Sequence, residues 1–314
     1  MSTIIVSGSL AYDRIMDFPG YFKDHIVPDK LHALSISFMV DKLTEEFGGT
    51  AGNIAYNLAL LGVKGEIIST AGGDFNKYRS HLLLSGVDPK TIAIKSDMLT
   101  SSAHIITDKA DNQIAAFHPG AGALAYDTPV ETEGRAFAIV APGCVADMVS
   151  LPQLYRRLGF KYYYDPGQQI PVVGAEELKE GISGAQILFG TDYELAMLMQ
   201  KTGWTQDEIL AHTPMIVSTL GAEGSSIITR EGRTVVPVAR AAEVTDPTGA
   251  GDAYRAGFLK GILAGLPSDK CAMLASVVAV YTVEKYGTQT HRFTMEELAA
   301  RYKESYGEKL PDLG

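Results

Sequence analysis

The sequence predicts an α/β fold in which helices flank both faces of a doubly wound, mostly parallel sheet. Short apolar runs typical of strands alternate with helix-like segments over most of the 314 residues, a pattern typical of a parallel sheet covered by helices. Two stretches break the alternation, so a small second sheet is expected as well. No internal repeat, linker or low-complexity segment divides the chain, and we therefore expect one domain over residues 1–314.

The elements of the main sheet are predicted from apolar runs that end at turn-forming residues. The first strand is TIIVSG, and the first helix, NIAYNLALLG, places Ile54, Leu58 and Leu61 on one face and ends at Gly62. Further strands are predicted in EIISTAGGD, FAIVAPG, KYYYDPG, QILFGTD and MIVSTLG. Helix-like segments such as LPQLYRRLG and YELAMLMQKTG alternate with them, which favours a doubly wound order.

The two irregular stretches predict a small sheet that acts as a lid. LHALSISFMVDKL follows a proline-containing loop, and AHIITDKADNQIAAFHPG has the pattern of two short strands joined by a turn at DKADNQ. With the residues after the first strand they define three lid segments, at approximately residues 12–20, 31–47 and 100–119. Strands inserted at the carboxyl ends of a parallel sheet can cover a ligand. Because an exposed small sheet needs burial, we also predict a homodimer through the lid strands.

Composition and charge argue against several classes of function. The formal net charge is −10 and no Lys/Arg-rich run occurs, so nucleic acid is not expected as a partner. The N-terminus lacks an export signal, and CAMLASVVAVYTV is too short to span a bilayer, which predicts a cytoplasmic protein without a membrane partner. Cys144 and Cys271 are too few for a disulfide framework. No G-x-x-x-x-G-K-[ST] loop and no H-x-x-x-H pair is present, which excludes a P-loop kinase and argues against a zinc site.

The run DPTGAGDAYRAGFLKG predicts a helix whose N-terminus binds an anion. The helix is expected to begin near Gly249, and its first backbone N–H groups, with the helix dipole, favour negative charge close to Gly249, Ala250 and Gly251. The same dipoles are expected to keep Asp252 ionised, able to accept a hydroxyl proton but intrinsically a weak base. From the spacing alone, Asp252 is equally well explained as a helix cap.

This run resembles the C-terminal signature of the ribokinase-like (PfkB) carbohydrate and nucleoside kinases, and FGGTAGNIAYNLALLG resembles their N-terminal signature. The resemblance extends from about residue 3 to about residue 306. It implies a phosphotransferase with an alcohol acceptor, with ATP and Mg²⁺ as cofactors and Asp252 as the catalytic base. It further implies an anion hole formed by Gly249, Ala250 and Gly251, and a monovalent cation such as K⁺ near Asp246 and Thr248. A loose phosphoryl-transfer transition state tolerates a weak base.

For the nucleotide, the resemblance implies two further segments. STLGAEGSS resembles the nucleotide loop of the family, with Thr219, Gly221 and Gly224 along the ATP phosphates and ribose, although alone it is an ordinary glycine turn. In FGTDYELAML the family has an asparagine, two residues and then a glutamate that organises Mg²⁺ through water. Here Thr191 replaces the asparagine and Glu194 is retained, which puts the handling of the metal in question.

The acceptor side is predicted from Asp13, Gly48, Gly49 and Asn53, which suit hydrogen bonds to vicinal hydroxyls, although Asp13 alone is more often a loop aspartate. LSISFMVDKL, DPGQQ, KTGW and YGTQ resemble the bacterial adenosine kinases typified by mycobacterial enzymes. This closer resemblance implies that Phe38 reaches the neighbouring subunit's site. It also implies nucleoside-pocket roles for Ser9, Ser37, Phe117, Gln168 and Gln169.

Two departures from the adenosine kinase group concern the nucleoside pocket. Ala103 stands where an aromatic residue is expected beside the base, and Val172 where an arginine is expected after DPGQQ. The expected function is an ATP-dependent nucleoside kinase, with adenosine 5′-phosphorylation to AMP, a purine salvage reaction, favoured. A ribose- or fructose-type sugar kinase on the same scaffold and a non-catalytic nucleoside sensor are the alternatives.

Overall fold

The computed structural model has an eight-stranded main sheet, a four-stranded lid sheet and a two-stranded ribbon. It describes residues 3–26, 29, 35–110 and 112–314, and its elements lie within those residues. The strands are β1 (Thr3–Ser7), β2 (Ala11–Asp17), β3 (Lys42–Gly48), β4 (Lys64–Ile68), β5 (Thr70–Gly72), β6 (Ala93–Lys95), β7 (Ser101–Thr107), β8 (Gln113–His118), β9 (Arg135–Val140), β10 (Tyr162–Tyr164), β11 (Leu188–Thr191), β12 (Ile216–Thr219), β13 (Ser225–Thr229) and β14 (Gly232–Val236). The helices are α1 (Thr50–Leu60), α2 (Asn76–Leu84), α3 (Val145–Leu158), α4 (Ala175–Ile182), α5 (Asp192–Thr202), α6 (Gln206–His212), α7 (Ala250–Leu263), α8 (Ser268–Val283) and α9 (Met295–Tyr306).

The main sheet has the strand order β14-β13-β12-β11-β10-β9-β1-β4. The strands from β12 to β4 in this order are parallel, and β13 and β14 form an antiparallel edge. The prediction of a doubly wound, mostly parallel sheet is therefore confirmed. The chain runs from β1 outward to β4 and later returns to β9 on the other side of β1. In such sheets, ligands bind at the carboxyl ends of the strands where the connections diverge.

Alternate side chains of β1 enter two different hydrophobic cores, one on each face of the main sheet. Ile4 and Val6 belong to the core shared with α1, α2, α7 and α8, which includes Phe258. Ile5 belongs to the core shared with α3, α4, α5 and α6, which includes Met148. Successive side chains of a strand point to opposite faces of the sheet. Since the two sets of β1 side chains pack on different helices, helices cover both faces of the sheet, as predicted. No helix within the described ranges is long and apolar enough to cross a membrane.

The lid sheet has the order β3-β2-β7-β8 and contains parts of all three predicted lid segments. The hairpin predicted in AHIITDKADNQIAAFHPG is formed by β7 and β8, with Asp111 of its turn outside the described residues. The strand predicted in LHALSISFMVDKL was wrong in position. Residues 35–40 have no regular structure, residues 31–34 lie outside the described residues, and the strand begins only at Lys42. It lies later in the chain because its seven residues pair with all seven of β2.

Candidate active site

A cleft of about 900 Å³ is lined by residues at the carboxyl ends of the main strands and by residues of the lid sheet. Ser9 follows β1 and Pro142 follows β9, so these two residues mark the point where the connections diverge. The N–H of Ser9 donates to the Pro142 carbonyl at 3.0 Å. The predicted site residues that line the cleft are Ser9, Asp13, Gly49, Asn53, Phe117, Gln168, Gln169, Thr191, Glu194, Thr248, Gly249, Gly251 and Asp252. Those outside its lining are Ser37, Phe38, Gly48, Thr219, Gly221, Gly224, Asp246 and Ala250.

The first turn of α7 lines this cleft and begins where the sequence predicts. Gly249 precedes the helix with φ +78°, and a Cβ at that position would lie 2.9 Å from the Thr288 side chain, so glycine is required. The N–H of Ala250 already donates to a carbonyl of the preceding loop at 3.2 Å. Within the described chain, the N–H groups of Gly251 and Asp252 have no acceptor, which leaves two donors for an anion.

The carboxyl group of Asp252 differs from the sequence-based expectation. Burial raises its pKa to about 7. The carboxylates of Asp165 and Glu194 raise it further, whereas a hydrogen bond from Asn53 and the guanidinium of Arg255 oppose the increase. The expectation of an intrinsically weak base was therefore wrong, because burial of the carboxylate raises its pKa by more than the Asn53 hydrogen bond and the Arg255 charge lower it. A carboxylate with a pKa near 7 is a stronger base, close to the range in which general bases are effective.

A buried ion pair next to Asp252 was missed by the sequence analysis. Arg255 lies one turn further along α7, and its Nε donates to Asp165 Oδ2 at 2.8 Å, with both side chains 5% exposed. Burial raises the pKa of Asp165, and the Arg255 guanidinium opposes that increase. Both residues line the cleft. Two signals point to them, an arginine among the small and apolar residues in the middle of α7 and an aspartate directly after strand β10.

Thr191 and Glu194 form a reciprocal cap at the start of α5. Glu194 N–H donates to Thr191 Oγ1 at 3.1 Å, and Thr191 N–H donates to Glu194 Oε2 at 2.7 Å. Threonine and asparagine are both effective N-cap residues. Thr191, where the resemblance predicted an asparagine, therefore serves as the N-cap of α5, and its bond to Glu194 holds that side chain at the cleft lining.

The predicted nucleotide loop joins β12 to β13, beside the cleft and outside its lining. Thr219 pairs with Thr191 across the neighbouring strands β12 and β11, which places the start of the loop next to the cap of α5. Gly221 and Gly224 have φ of +57° and +99°, and a Cβ at Gly224 would lie 2.1 Å from the Val236 carbonyl oxygen. The backbone of the turn therefore explains both glycines without a ligand, and the role of this loop in binding the nucleotide stays a prediction.

The lid contributes a row of side chains to the cleft. Asp13 on β2 pairs with Ala103 on β7, which in turn pairs with Phe117 on β8. Asp13 and Phe117 both line the cleft, and Phe117 is 62% exposed. Burial raises the pKa of Asp13 to about 6, and the carboxylates of Asp246 and Glu46 add to the increase. The small side chain of Ala103 lies between the carboxylate and the ring.

The glycine pair before α1 allows close backbone contacts around Asp13. A Cβ at Gly48 would lie 2.4 Å from Asp13 Oδ2, and Gly49 has φ +90° with its Cβ position 2.6 Å from the Ser9 carbonyl oxygen. Asn53, in the first turn of α1, lines the cleft, and its Nδ2 donates to Asp252 Oδ2 at 2.8 Å. A residue predicted to bind substrate therefore contacts the predicted base directly.

The segment after β10 supplies two glutamines to the cleft. Gln169 Nε2 donates to the Gly143 carbonyl at 3.0 Å, whereas the side chain of Gln168 is exposed. Val172, where the resemblance to the adenosine kinases predicted an arginine, lines the cleft and is 64% exposed. This wall of the cleft therefore offers amide groups without a fixed charge.

Three further predicted residues, Ser37, Phe38 and Asp246, lie outside the cleft lining. Ser37 is exposed, and Phe38 packs on Phe18 of the same chain, with ring centroids 4.8 Å apart. The carboxylate of Asp246 accepts from Thr248 N–H at 2.9 Å and from Gly287 N–H at 3.1 Å. Asp246 thus joins the loop before α7 to the segment that follows α8.

The fold and the cleft define this chain as a member of the PfkB family, and the pattern described as pfkB family carbohydrate kinase matches residues 10–294. The chain is therefore a phosphotransferase that acts on a hydroxyl group. It is 32% identical to a nucleoside kinase of Methanothermobacter thermautotrophicus over 98% of both chains. A structure of Burkholderia thailandensis nucleoside kinase in complex with inosine is similar with a TM-score of 0.87 and 35% identity over 98% of this chain and 99% of that one. The same Burkholderia protein in complex with ADP-inosine has a TM-score of 0.85 and 36% identity over 98% and 97% of the chains.

Proposed function

We propose that the protein is an ATP-dependent nucleoside kinase that transfers the γ-phosphoryl group to the ribose 5′-hydroxyl, with adenosine as the favoured substrate and AMP as the product. The observation that carries this proposal is that one cleft contains Asp252, the first turn of α7, and Asp13 and Phe117 of the lid. A carboxylate suits sugar hydroxyls, and an aromatic ring suits a nucleobase. The similarity to nucleoside kinases over nearly the whole chain supports this substrate class.

In this proposal Asp252 aligns the 5′-hydroxyl and accepts its proton. Phosphoryl transfer has a loose transition state, so alignment and charge stabilisation contribute most of the catalysis. The N–H groups of Gly251 and Asp252 stabilise the charge that develops on the transferred group. Arg255 adds a positive charge that its ion pair with Asp165 holds in place.

The carboxylates of Glu194 and Asp165 suit a magnesium ion that is held mainly by the phosphates of the nucleotide. Mg²⁺ in kinases is bound by one or two carboxylates, by waters and by substrate phosphates. The Oε2 of Glu194 is engaged in the cap of α5, which leaves Oε1 for the ion or its waters. Asp165 Oδ1 is buried without a hydrogen-bond partner among the described residues and is the second candidate ligand. Bound Mg²⁺ would neutralise charge on the phosphates.

Asp246 and Thr248 are our proposal for the site of a monovalent cation such as K⁺. Both carboxylate oxygens of Asp246 accept one backbone N–H each. Each oxygen retains further lone pairs for a cation. A cation there would lie at the loop that leads into α7.

The two alternative functions differ from this proposal in the groups that they require. A ribose- or fructose-type sugar kinase has no need of an exposed aromatic ring in the lid, so Phe117 favours a nucleoside. A sensor without activity has no need of a base, so the pKa of Asp252, which burial raises to about 7, favours catalysis. Purine nucleosides as a class suit the amide groups of Gln168 and Gln169, which can both donate and accept.

An assay of ADP formation with adenosine, inosine, guanosine, cytidine, ribose and fructose tests the proposal. We expect the highest kcat/KM with adenosine and no turnover with 5′-deoxyadenosine, which lacks the acceptor hydroxyl. A higher kcat/KM with ribose or fructose would establish a sugar kinase. Tight nucleoside binding without turnover of any compound would establish a sensor.

A further inference from the structure

We propose that Gln289, acting through Asn53, is a positioning residue for the base Asp252, a role that rests on the proposed kinase function. Gln289 lies in the connection between α8 and α9, is 2% exposed and is absent from the cleft lining. Its Nε2 donates to Asn53 Oδ1 at 2.9 Å, and Asn53 Nδ2 donates to Asp252 Oδ2 at 2.8 Å. Two hydrogen bonds therefore link a buried amide outside the cleft to the carboxylate inside it.

The hydrogen bonds around Gln289 determine which end of its amide faces Asn53. The hydroxyl of Tyr78 donates its single hydrogen to the Gly48 carbonyl at 2.8 Å, so it accepts a hydrogen from Gln289 Nε2, 2.6 Å away. On the other side, Gln289 Oε1 lies 3.0 Å from Nε2 of His81, which acts as the donor. The Nε2 group of Gln289 has two hydrogens, and the second one is directed at Asn53.

The amide of Asn53 is oriented in turn by this donor. Its Oδ1 must face Gln289, and its Nδ2 is consequently the group that faces Asp252. The hydroxyl of Thr288 also lies 2.7 Å from Asn53 Oδ1, although its one hydrogen is shared with the Phe47 carbonyl at 2.8 Å. A reversed Asn53 amide would place two acceptor oxygens against each other at the ionised carboxylate, which is unfavourable.

Asn53 therefore serves mainly to orient the base Asp252, and only secondarily to bind the substrate. Its acceptor oxygen is fully used, and one of its two Nδ2 hydrogens goes to Asp252. A single hydrogen remains for a sugar hydroxyl. Because Asn53 lies on α1, Gln289 after α8 and Asp252 on α7, the two bonds hold three separate parts of the chain in register at the reacting carboxylate.

The effect of the Gln289–Asn53 linkage on the pKa of Asp252 can be separated from the effects of the other groups that face this carboxylate. Arg255 faces it from α7, Asp165 from the end of β10 and Glu194 from α5. Tyr78 on α2 and Asn53 on α1 also face it. Of these five, only Asn53 and Tyr78 are hydrogen-bonded to Gln289. Since the Asn53 bond lowers the pKa of Asp252, loss of Gln289 raises that pKa and leaves the three charged neighbours in place.

The test compares Gln289→Met, which keeps the volume and removes the hydrogen bonds, with Thr290→Ala in the same turn as the matched control. We expect Gln289→Met to lower kcat about tenfold, with the nucleoside KM changed less than about threefold. The acid limb of the kcat profile should move up by about half a pH unit. NMR titration of ¹³C-labelled aspartate carboxyl groups, assigned with Asp252→Asn, should show the same shift without turnover. Thr290→Ala should match the wild type in all three measurements.

Gln289→Glu provides a second, sharper variant. It keeps the shape and an acceptor for His81, but places an oxygen against Asn53 Oδ1, so the Asn53 amide should reverse and lower kcat by more than Gln289→Met does. An unchanged carboxyl titration with unchanged kcat in the folded variants overturns the positioning role. A rise in KM with an unchanged kcat does so as well, because it would assign the linkage to substrate binding. If the wild type phosphorylates no nucleoside, the proposed function fails separately, and the carboxyl titration still decides whether the linkage acts on Asp252.

Discussion

Among single residues, the chemistry of the cleft depends on how much water each carboxylate keeps. Burial raises the pKa of Asp252 to about 7 and that of Asp13 to about 6, although the two side chains lie on different elements. The buried carboxylate of Asp165 is compensated by its ion pair with the guanidinium of Arg255. Asp252 is therefore protonated easily near neutral pH, whereas the guanidinium of Arg255 beside it stays charged.

Replacement of the base should separate activity from stability. We expect Asp252→Asn to lower kcat by about three orders of magnitude while nucleoside KM changes little, because the loss falls on the transition state. The raised pKa means that the ionised carboxylate destabilises the folded state fully above pH 7 and not at all below the ordinary pKa near 3.8. Chemical denaturation should therefore show the variant to be more stable than the wild type by about 1 kcal/mol at pH 8 and equal to it at about pH 3. An unchanged kcat would remove Asp252 from the mechanism.

The pH dependence of activity should report the same carboxylate. Only the ionised form of Asp252 can accept a proton, so kcat/KM should rise with pH through about 7 and level off above it. Steady-state assays between pH 5 and 9 in buffers of constant ionic strength measure this limb. The residual activity of Asp252→Asn serves as the control and should lack it. A limb that persists in that variant would have to arise from another group.

Among the helices and strands, the starts of helices do most of the positioning. The start of α7 presents Asp252, and the start of α1 presents Asn53. The start of α5 presents Glu194 through a reciprocal cap with Thr191. Each helix follows a strand or turn whose end lies at the cleft, so the sheet determines where the three side chains meet.

The cap of α5 can be tested against a second one of the same kind. Thr191→Ala should destabilise the fold by about 1 kcal/mol and raise the KM for MgATP, because Glu194 loses its orientation. The matched control is Thr205→Ala in the cap of α6, formed with Glu208 and absent from the cleft lining. That variant should lose similar stability in urea denaturation without a change in the KM for MgATP. Equal KM values for both variants would separate Glu194 from nucleotide binding.

For the molecule as a whole, the lid sheet has one face toward the cleft and an apolar row on the other. Asp13 lines the cleft, and Met16, three residues further along β2, points to the opposite face. Met16 pairs with Leu43 on β3 and with Ile106 on β7, which pairs with Ile114 on β8. Leu43 is 64% exposed. A row of this kind suits burial against a second copy of the chain.

We therefore expect the protein to be a homodimer through the lid, as the sequence suggested. Light scattering at micromolar concentration should give twice the mass of the chain. Leu43→Glu should shift the protein to monomers by placing a charge in the interface. Leu84→Glu, at a position on α2 that is 87% exposed, is the matched control and should leave the mass unchanged. A monomeric wild type would contradict the prediction.

Local signals in the chain explain why much of the fold and part of the site could be predicted. The start of α7, the required glycine at Gly249 and the hairpin of β7 and β8 each depend on neighbouring residues. The position of β3 depends on pairing with β2 and was predicted too early. Arg255 and Asp165, 90 residues apart, carry no local signal of their pairing and were missed as a pair.

The amino-acid order alone was sufficient for the alternation of strands and helices, the glycine-bounded start of α7 and the presence of a carboxylate in its first turn, since periodicity and backbone conformation are local properties. The folded chain decided the pKa of Asp252, the pairing of Arg255 and the linkage from Gln289. Asn53 and Asp252 are 199 residues apart, and Asn53 and Gln289 are 236 apart. Desolvation and hydrogen-bond direction depend on which distant groups are brought together, and that is a property of packing in three dimensions.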